Sequence, residues 1–293
     1  MRPRDTALAL LVVVLWGVNF VVIKVGLRGV SPFVLGGLRC AFAAVPAVFF
    51  LRPPRVPVRL YAAFAFPTFL AQFALLFWAI RLGMPSGLTS VVQQSQAFFT
   101  VLLAAAVLRE KPTAAQLLGI SLAGVGLALI GSESGTSFPL AGFVLNVCSA
   151  AFWALGNLAS RSLSRYGPVS GLAFVVWSSL LVPIPYFALA WAFEGKATIA
   201  ASFHAMDAIS WAAVAYLAFG ATLGGYGLWN RLLKTYPAAQ VAPFALLVPV
   251  IGLACGALTF RERLTAAQLA GSALVAAGLA LPLAMARWRY RTS

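Results

Sequence analysis

Amide and aromatic side chains recur inside long apolar stretches of this 293-residue chain. Trp16 and Asn19 are three residues apart, and Trp153 and Asn157 are four apart, spacings that put each pair on one face of a helix. The same stretches contain further candidates of these two types, namely Gln72, Trp78, Gln94, Gln96, Tyr226, Trp229 and Asn230. Amides donate and accept hydrogen bonds, and aromatic faces attract cations, so these side chains could bind a small polar molecule.

A structural role is the alternative for each of these residues. Asn and Gln inside apolar helices also join neighbouring helices, at about 0.6 kcal/mol per hydrogen bond, and an inner Trp can simply pack. Three glutamines, Gln93, Gln94 and Gln96, occupy four positions. On a continuous helix Gln94 and Gln96 stand about 200° apart, so we expect at least one of the three to join helices.

Arg39 is the one charge well inside an apolar stretch. It lies about 12 Å along a helix that begins near Ser31, so its side chain could extend outward to water. It could instead hold the carboxylate of a substrate or pair with backbone carbonyl groups. The sequence leaves these three roles open.

Acid–base chemistry has no residues to support it in the apolar stretches. They contain no Asp or Glu, and the single histidine, His204, falls in a connection between them. A membrane-embedded enzyme needs a general base or metal ligands, and a channel needs a charged ring or a filter loop, so both classes are disfavoured. No metal or cofactor is indicated, and a lipophilic cation is an unexpected substrate because no buried acid could receive it.

The composition requires these residues to lie in a bilayer. Hydrophobic residues make up 62% of the chain, charged residues 9%, and the mean hydropathy is +0.94. Such a chain cannot cover a soluble globule with polar groups, and about 20 apolar residues span a membrane. Nine uncharged windows of suitable length are Ala7–Ile23, Leu60–Ile80, Leu82–Leu108, Pro112–Ser132, Ser134–Ser160, Tyr166–Phe193, Ala208–Asn230, Thr235–Phe260 and Leu264–Ala286. A tenth, Ser31–Leu51, contains Arg39, so the sequence predicts an all-α integral membrane protein with ten transmembrane helices.

The net charge of +15 does not indicate nucleic acid binding, because the basic residues lie singly or in pairs at the ends of the predicted helices. With the N-terminus in the cytoplasm, fourteen basic residues fall inside, among them Lys111, Arg161, Arg287, Arg289 and Arg291. Six fall outside, including Lys24 and Arg263. The positive-inside rule therefore predicts that both termini are cytoplasmic.

A repeated motif divides the chain into halves. "REKPTAAQLLG" begins at Arg109 and "RERLTAAQLAG" begins at Arg261, 152 residues later. The first copy lies between predicted helices 4 and 5, the second between helices 9 and 10. Because five helices are an odd number, we expect two inverted repeats, residues 1–132 and 133–293, with Glu110 cytoplasmic and Glu262 external. Inverted repeats are typical of secondary transporters.

The motif itself has the spacing of a helix cap. Thr113 with Gln116, and Thr265 with Gln268, have the T-x-x-Q spacing of a capping box, although a direct role of Glu110 or Glu262 in binding is the alternative.

In predicted helix 9, Pro243 and Pro249 indicate a hinge or a place where freed carbonyl groups accept from a ligand.

These motifs together resemble a known family. The doubled motif, the ten-helix plan and the stretches "LALLVVVLWGVNFVVIKVGL", "GMPSGLTSVVQQSQAFFT", "YLAFGATLGGYGLWNRLL" and "VAPFALLVPVIGLACGAL" are similar to the EamA family of the drug/metabolite transporter superfamily. The resemblance covers essentially the whole chain. It implies a bacterial inner-membrane secondary transporter that exports small amino-acid-type metabolites, such as cysteine or O-acetylserine, by alternating access. Import or exchange of another small metabolite is the alternative, and the oligomeric state stays open.

Overall fold

The chain folds into ten helical segments connected by short turns. The structure is a computed structural model that describes residues 1–292, without the side chains of residues 238, 239 and 286–292. Its helices are α1 Pro3–Gly26, α2 Pro32–Val48, α3 Val58–Arg81, α4 Ser86–Leu108, α5 Ala114–Ser132, α6 Leu140–Tyr166, α7 Gly171–Ala205, α8 Ala208–Thr235, α9 Gln240–Phe260 and α10 Ala266–Thr292. The predicted all-α fold and the ten helices are confirmed.

In the described part of the chain, nine of these helices are long and apolar enough to cross a membrane, and α2 is shorter at 17 residues. Because successive helices alternate in direction, the bundle has two ends. We call the end at which α1 begins the N-terminal face, and the other end the opposite face. Arg287, Arg289 and Arg291, which contribute to the predicted charge bias at the N-terminal face, lie outside the described side chains.

Two boundaries differ from the predicted windows. Tyr166 closes a 3-10 turn, Ser162–Tyr166, that continues α6 instead of opening α7. The segment from Gly195 to Ala205, expected as part of a long connection, is helical and carries His204. Gly195 has a φ of 82°, a left-handed conformation that favours glycine and redirects the chain into this short helix.

Five helices of the bundle are irregular near their middles, and in α7 the regular helix stops at Ser179, resumes at Pro183 and contains a π-helical turn at Ala190–Glu194. In α4 the backbone amides of Gln94 and Ser95 donate hydrogen bonds to carbonyl groups three residues earlier, and not four as in a regular α-helix. In α9 the amides of Leu246 and Leu247 do the same. The break in α9 lies between Pro243 and Pro249, where the sequence predicts either a hinge or freed carbonyl groups. Wide π-helical turns interrupt α3 at Phe66–Ala71 and α8 at Tyr216–Gly224. Such turns change the direction of the following side chains and occur often at functional sites.

The repeated motif has one local structure in both copies. The Thr113 side chain accepts from the Gln116 amide while Gln116 accepts from the Thr113 amide, and Thr265 and Gln268 do the same. The predicted capping boxes are therefore confirmed. Each preceding helix ends at an arginine in the left-handed region, Arg109 at a φ of 57° and Arg261 at 53°.

Glycines allow α5 and α10 to touch through their backbones. A Cβ atom added at Gly126 would lie 2.6 Å from the Gly271 carbonyl oxygen, and one at Gly119 would lie 2.5 Å from that of Gly278. Without a hydrophobic driving force between helices in lipid, such small residues permit the close packing that holds helices together. This contact joins the two halves of the chain.

Candidate functional site

A cavity of about 370 Å³ lies inside the bundle. This volume is within the range of about 300–1,000 Å³ typical of small-molecule sites. Eleven of the twelve residues singled out in the sequence line it: Trp16, Asn19, Arg39, Gln72, Gln94, Gln96, Trp153, Asn157, Tyr226, Trp229 and Asn230. The twelfth, Trp78, lies outside the cavity and packs edge-on against Phe33, with ring centroids 5.9 Å apart.

The break in α4 brings the glutamines together. Gln93, Gln94 and Gln96 all line the cavity, although a continuous helix would separate Gln94 from Gln96 by about 200°. The irregular bonding at Gln94 and Ser95 changes the helical phase, so the expectation of different faces was wrong. Gln93 also joins helices as predicted, because its amide nitrogen donates to the Ser149 hydroxyl of α6 at 3.2 Å.

Arg39 points into the bundle and is only 3% exposed. Its Nε donates to the Thr222 hydroxyl at 3.3 Å, its Nη1 donates to the Asn19 side chain at 3.4 Å, and its guanidinium lies 3.9 Å from the centre of the Phe73 ring. The outward extension considered for this residue is wrong, because α1, α3 and α8 provide its partners inside the protein. Pairing with backbone carbonyl groups is also absent among the described residues.

Aromatic rings and amides form much of the remaining wall. The Trp16 ring lies 5.6 Å from that of Tyr226 and 5.3 Å from that of Trp229, and its indole nitrogen donates to the Ala221 carbonyl at 3.0 Å. Across the cavity, Asn157 donates to the Gln96 side chain at 2.6 Å. The predicted shared faces of α1, α6 and α8 thus meet around one space.

The cavity extends toward the N-terminal face. Leu163 at the end of α6, Gly171 at the start of α7 and Leu233 near the end of α8 line it, and Leu233 is 40% exposed. All three belong to helix ends on that face. A small molecule could therefore enter or leave the cavity at the N-terminal face.

A polar network lies at the opposite face, and we call it the opposite-face latch; it is formed by Lys24, Ser86, Gly87 and Glu262. Glu262 pairs with Lys24 at 2.7 Å and accepts from the Ser86 amide, the Ser86 hydroxyl and the Gly87 amide, each at 2.9 Å. Burial acts to raise the pKa of Glu262, but the Lys24 ammonium and these hydrogen bonds hold that pKa below its ordinary value. The carboxylate stays ionised and ties α1 and the start of α4 to the connection before α10.

A second ion pair between a basic residue and a glutamate lies on the N-terminal face. Arg161 donates to both oxygens of Glu110, at 3.0 and 3.1 Å. Both side chains are 49% exposed, whereas the Glu262 side chain is only 10% exposed. The two glutamates occupy the same position of the repeated motif, so the faces carry similar pairs in different environments.

Several polar or aromatic residues at the site were not singled out from the sequence, and three of them bear on the site's chemistry. Thr222 and Phe73 contact Arg39, and Thr68 lines the cavity. A threonine within the uncharged window Ala208–Asn230 was a weak signal for Thr222. Nothing in the sequence distinguished Phe73 from the other phenylalanines of α3, because its role depends on which way the π-helical turn rotates the helix.

The cavity has the chemistry of a binding site without that of a catalytic one. Arg39 is the one charged residue among the described residues that line it. Across the described side chains, no group of three or more His, Cys, Asp or Glu residues could hold a metal ion. A polar ligand could be bound and oriented here, and the described part of the cavity wall contains no carboxylate or imidazole.

Comparison with known proteins decides the family. The sequence model of the EamA-like transporter family matches residues 6–132 and again residues 140–283. The chain belongs to this family. EamA-like membership makes it a multi-pass membrane transporter, in agreement with the apolar helices, and not an enzyme. A solved crystal structure that is 18% identical covers 98% of this chain and 99% of its own, with a TM-score of 0.65, and supports the fold.

Relatives within the EamA-like family extend over nearly the full length. A "probable amino-acid metabolite efflux pump" of Escherichia coli K12 is 43% identical over 99% of this chain and 98% of its own. A protein of the same description from Salmonella typhimurium is 44% identical over 95% of this chain and 94% of its own. A "probable terminal-alkyne amino-acid exporter" of Streptantibioticus cattleyicolor is 25% identical over 92% and 90% of the two chains.

Proposed function

We propose that this protein exports small amino-acid metabolites, such as cysteine or O-acetylserine, across the bacterial inner membrane. One observation carries the proposal: amides, aromatic rings and a guanidinium from both halves surround a single cavity that extends to one face of the bundle. These are the groups that bind an ammonium and a carboxylate without proton transfer. The efflux names of the full-length relatives support both the class of substrate and the outward direction.

Transport proceeds by alternating access in this proposal. The cavity extends to the N-terminal face while the opposite-face latch closes the other end, which is the arrangement of an inward-open carrier with its N-terminus in the cytoplasm. Opening the opposite face requires Glu262 to leave Lys24 and the start of α4. The exposed Glu110–Arg161 pair is its counterpart, and it becomes the buried pair when the N-terminal face closes.

The two halves, residues 1–132 and 133–293, act as inverted repeats in this mechanism. Several features recur at the same spacing of 152 residues: the capping boxes, the left-handed Arg109 and Arg261, and the breaks at Gln94 and Leu246. Exchange of the two half-conformations then converts an inward-open cavity into an outward-open one.

The orientation is tested by labelling from each side of the membrane. Lys111→Cys should react with an impermeant maleimide only from the cytoplasm, and Arg263→Cys only from outside, in a background without the three native cysteines. Labelling of both positions from one side would contradict the inverted repeat.

The function itself is tested in proteoliposomes of purified protein. Vesicles preloaded with unlabelled cysteine should accumulate external labelled cysteine by counterflow, and O-acetylserine should compete. Protein-free vesicles are one control and should not accumulate labelled cysteine. Excess external lysine is the other and should not compete, because its second ammonium lacks an acidic partner among the described residues of the cavity. Absence of counterflow with any neutral amino acid, from protein that is folded and correctly inserted, would contradict the proposal.

A further inference from the structure

Arg39 is a buried cation that has no counter-ion among the described residues. It lies in the middle of α2, and the ion pairs among the described residues are Lys24–Glu262 and Glu110–Arg161. Removing a charge from water is costly unless an opposite charge compensates for it. The neutral side chains of Asn19 and Thr222 and the ring of Phe73 compensate only in part, so the cavity has a positive pole.

The guanidinium also has unused hydrogen-bonding capacity. It carries five N–H donors, and the described residues accept from two of its nitrogen atoms. These bonds measure 3.3 and 3.4 Å, whereas charge-assisted bonds are commonly about 2.7–2.9 Å. Since Arg39 lines the cavity, a ligand can approach the donors that remain.

A carboxylate has the matching geometry. Its two oxygens accept from the planar fork of a guanidinium in parallel, an arrangement that gives both strength and orientation. We propose that Arg39 is the carboxylate anchor of the transport site, so that the substrates are amino acids with a free α-carboxylate and not amines or esters. This inference rests on the proposed function of the cavity as the transport site.

Polar groups suited to the ammonium lie at the same cavity. The Gln72 side-chain oxygen and the Thr68 hydroxyl are buried and have no hydrogen-bond partner among the described residues. Both residues line the cavity, and both belong to α3, which also contributes Phe73 beneath the guanidinium. A zwitterion would thus pair with the guanidinium and with these two oxygen atoms together.

Substrate analogues test the anchor. Cysteine, its methyl ester and cysteamine share the ammonium and thiol, but only cysteine has a free carboxylate. In counterflow, wild-type protein should prefer cysteine to either analogue by at least about tenfold, because each analogue leaves the guanidinium unpaired. Arg39→Gln should lose cysteine transport by a similar factor and lose the preference. Arg39→Lys should retain part of it, because a point charge remains without the fork.

Matched variants separate anchoring from structure. Arg81→Gln removes a different arginine, whose Nη1 donates to the Leu27 carbonyl at the opposite face, and should keep the preference for cysteine. A folded Arg39→Gln protein that still prefers cysteine to its methyl ester would overturn the anchor while leaving the transport proposal intact.

A binding measurement on wild-type protein keeps the test independent of variant folding. Cysteine should raise the melting temperature in detergent, whereas equal concentrations of the methyl ester or cysteamine should raise it much less, because only a bound ligand stabilises the folded state. Equal stabilisation by all three compounds would overturn the anchor. If no amino acid at all were transported, the proposed function itself would be rejected.

Discussion

Lys24 at the end of α1 and Glu262 in the connection before α10 form an ion pair of 2.7 Å across 238 positions of sequence. The same carboxylate accepts from the first two amides of α4, where the helix dipole favours a negative charge. This pair therefore joins three separate elements at the face to which the cavity does not extend. In the proposed transport cycle, its strength would set how readily that face opens.

We expect Glu262→Gln to open the opposite face. The neutral amide loses the ion pair and presents a donor to the amides of α4, so the closed state should lose about 1–3 kcal/mol. A cysteine at Ser90, which is buried between α4 and α9, should then react with an impermeant maleimide added from outside. Glu110→Gln, on the exposed pair, should not increase this reaction. Equal labelling in both variants would contradict a role of Glu262 in closure.

Transport should change little between about pH 6 and pH 8, where a perturbed buried acid would titrate. The pKa of Glu262 lies below its ordinary value, so its stabilising effect is present above that ordinary value, near 4.5, and is lost as the pH falls through the lower folded value. The latch is therefore ionised throughout the tested range. A steep rate change measured in symmetrical buffers without a proton gradient would contradict this prediction.

Thr113→Ala and Thr265→Ala should each lower the free energy of unfolding by about 1 kcal/mol, because each removes a helix cap. Transport per folded molecule should persist, since neither threonine lines the cavity. Thr198→Ala is the control, because its hydroxyl donates to the Glu194 carbonyl within a helix and caps nothing. Thermal melts and counterflow at matched abundance distinguish these outcomes. Loss of transport with unchanged stability would favour a direct role of the motif.

Gly126→Ala should destabilise the protein by about 1–3 kcal/mol, as overpacking commonly does. The new methyl group would meet the Gly271 carbonyl oxygen and force α5 away from α10. Gly124→Ala, two residues earlier in the same helix, is the control, because a Cβ there meets no described atom within 4 Å. Melting temperatures of the two variants should therefore differ clearly. Equal values would show that the close glycine contact is dispensable.

Trp229→Ala or Asn230→Ala should weaken transport by about 1–3 kcal/mol, the cost of leaving a buried polar partner unpaired. Trp78→Ala is the matched control, because Trp78 lies outside the cavity. Counterflow at matched membrane abundance should show a raised half-saturation concentration only in the cavity variants. An unchanged value in both would move the binding site toward Arg39 and the glutamines of α4.

Much of the fold follows from the sequence because a bilayer permits few alternatives. Uncharged windows fixed the helices, and the T-x-x-Q spacing located both caps. The directions of the glutamine side chains on α4 could not be predicted, because no proline or glycine between Val91 and Gln96 indicates the break at Gln94. Similarly, the distance of Arg39 from the end of its helix suggested access to water, but only packing with α1, α3 and α8 determines where the guanidinium points.

The uncompensated charge of Arg39 also makes the proposed carrier sensitive to voltage. In the inward-open state this charge lies in a cavity that opens to the cytoplasm and is therefore near the cytoplasmic potential. In the outward-open state the cavity opens to the outside, and the charge is near the external potential. Transferring one elementary charge across a membrane potential of 100 mV involves about 2.3 kcal/mol. With the cytoplasm negative, the potential favours the empty carrier in the state that faces the cytoplasm. A zwitterion leaves this preference unchanged, whereas a substrate with net negative charge cancels it, so the resting potential should accelerate the export of anionic amino acids relative to neutral ones.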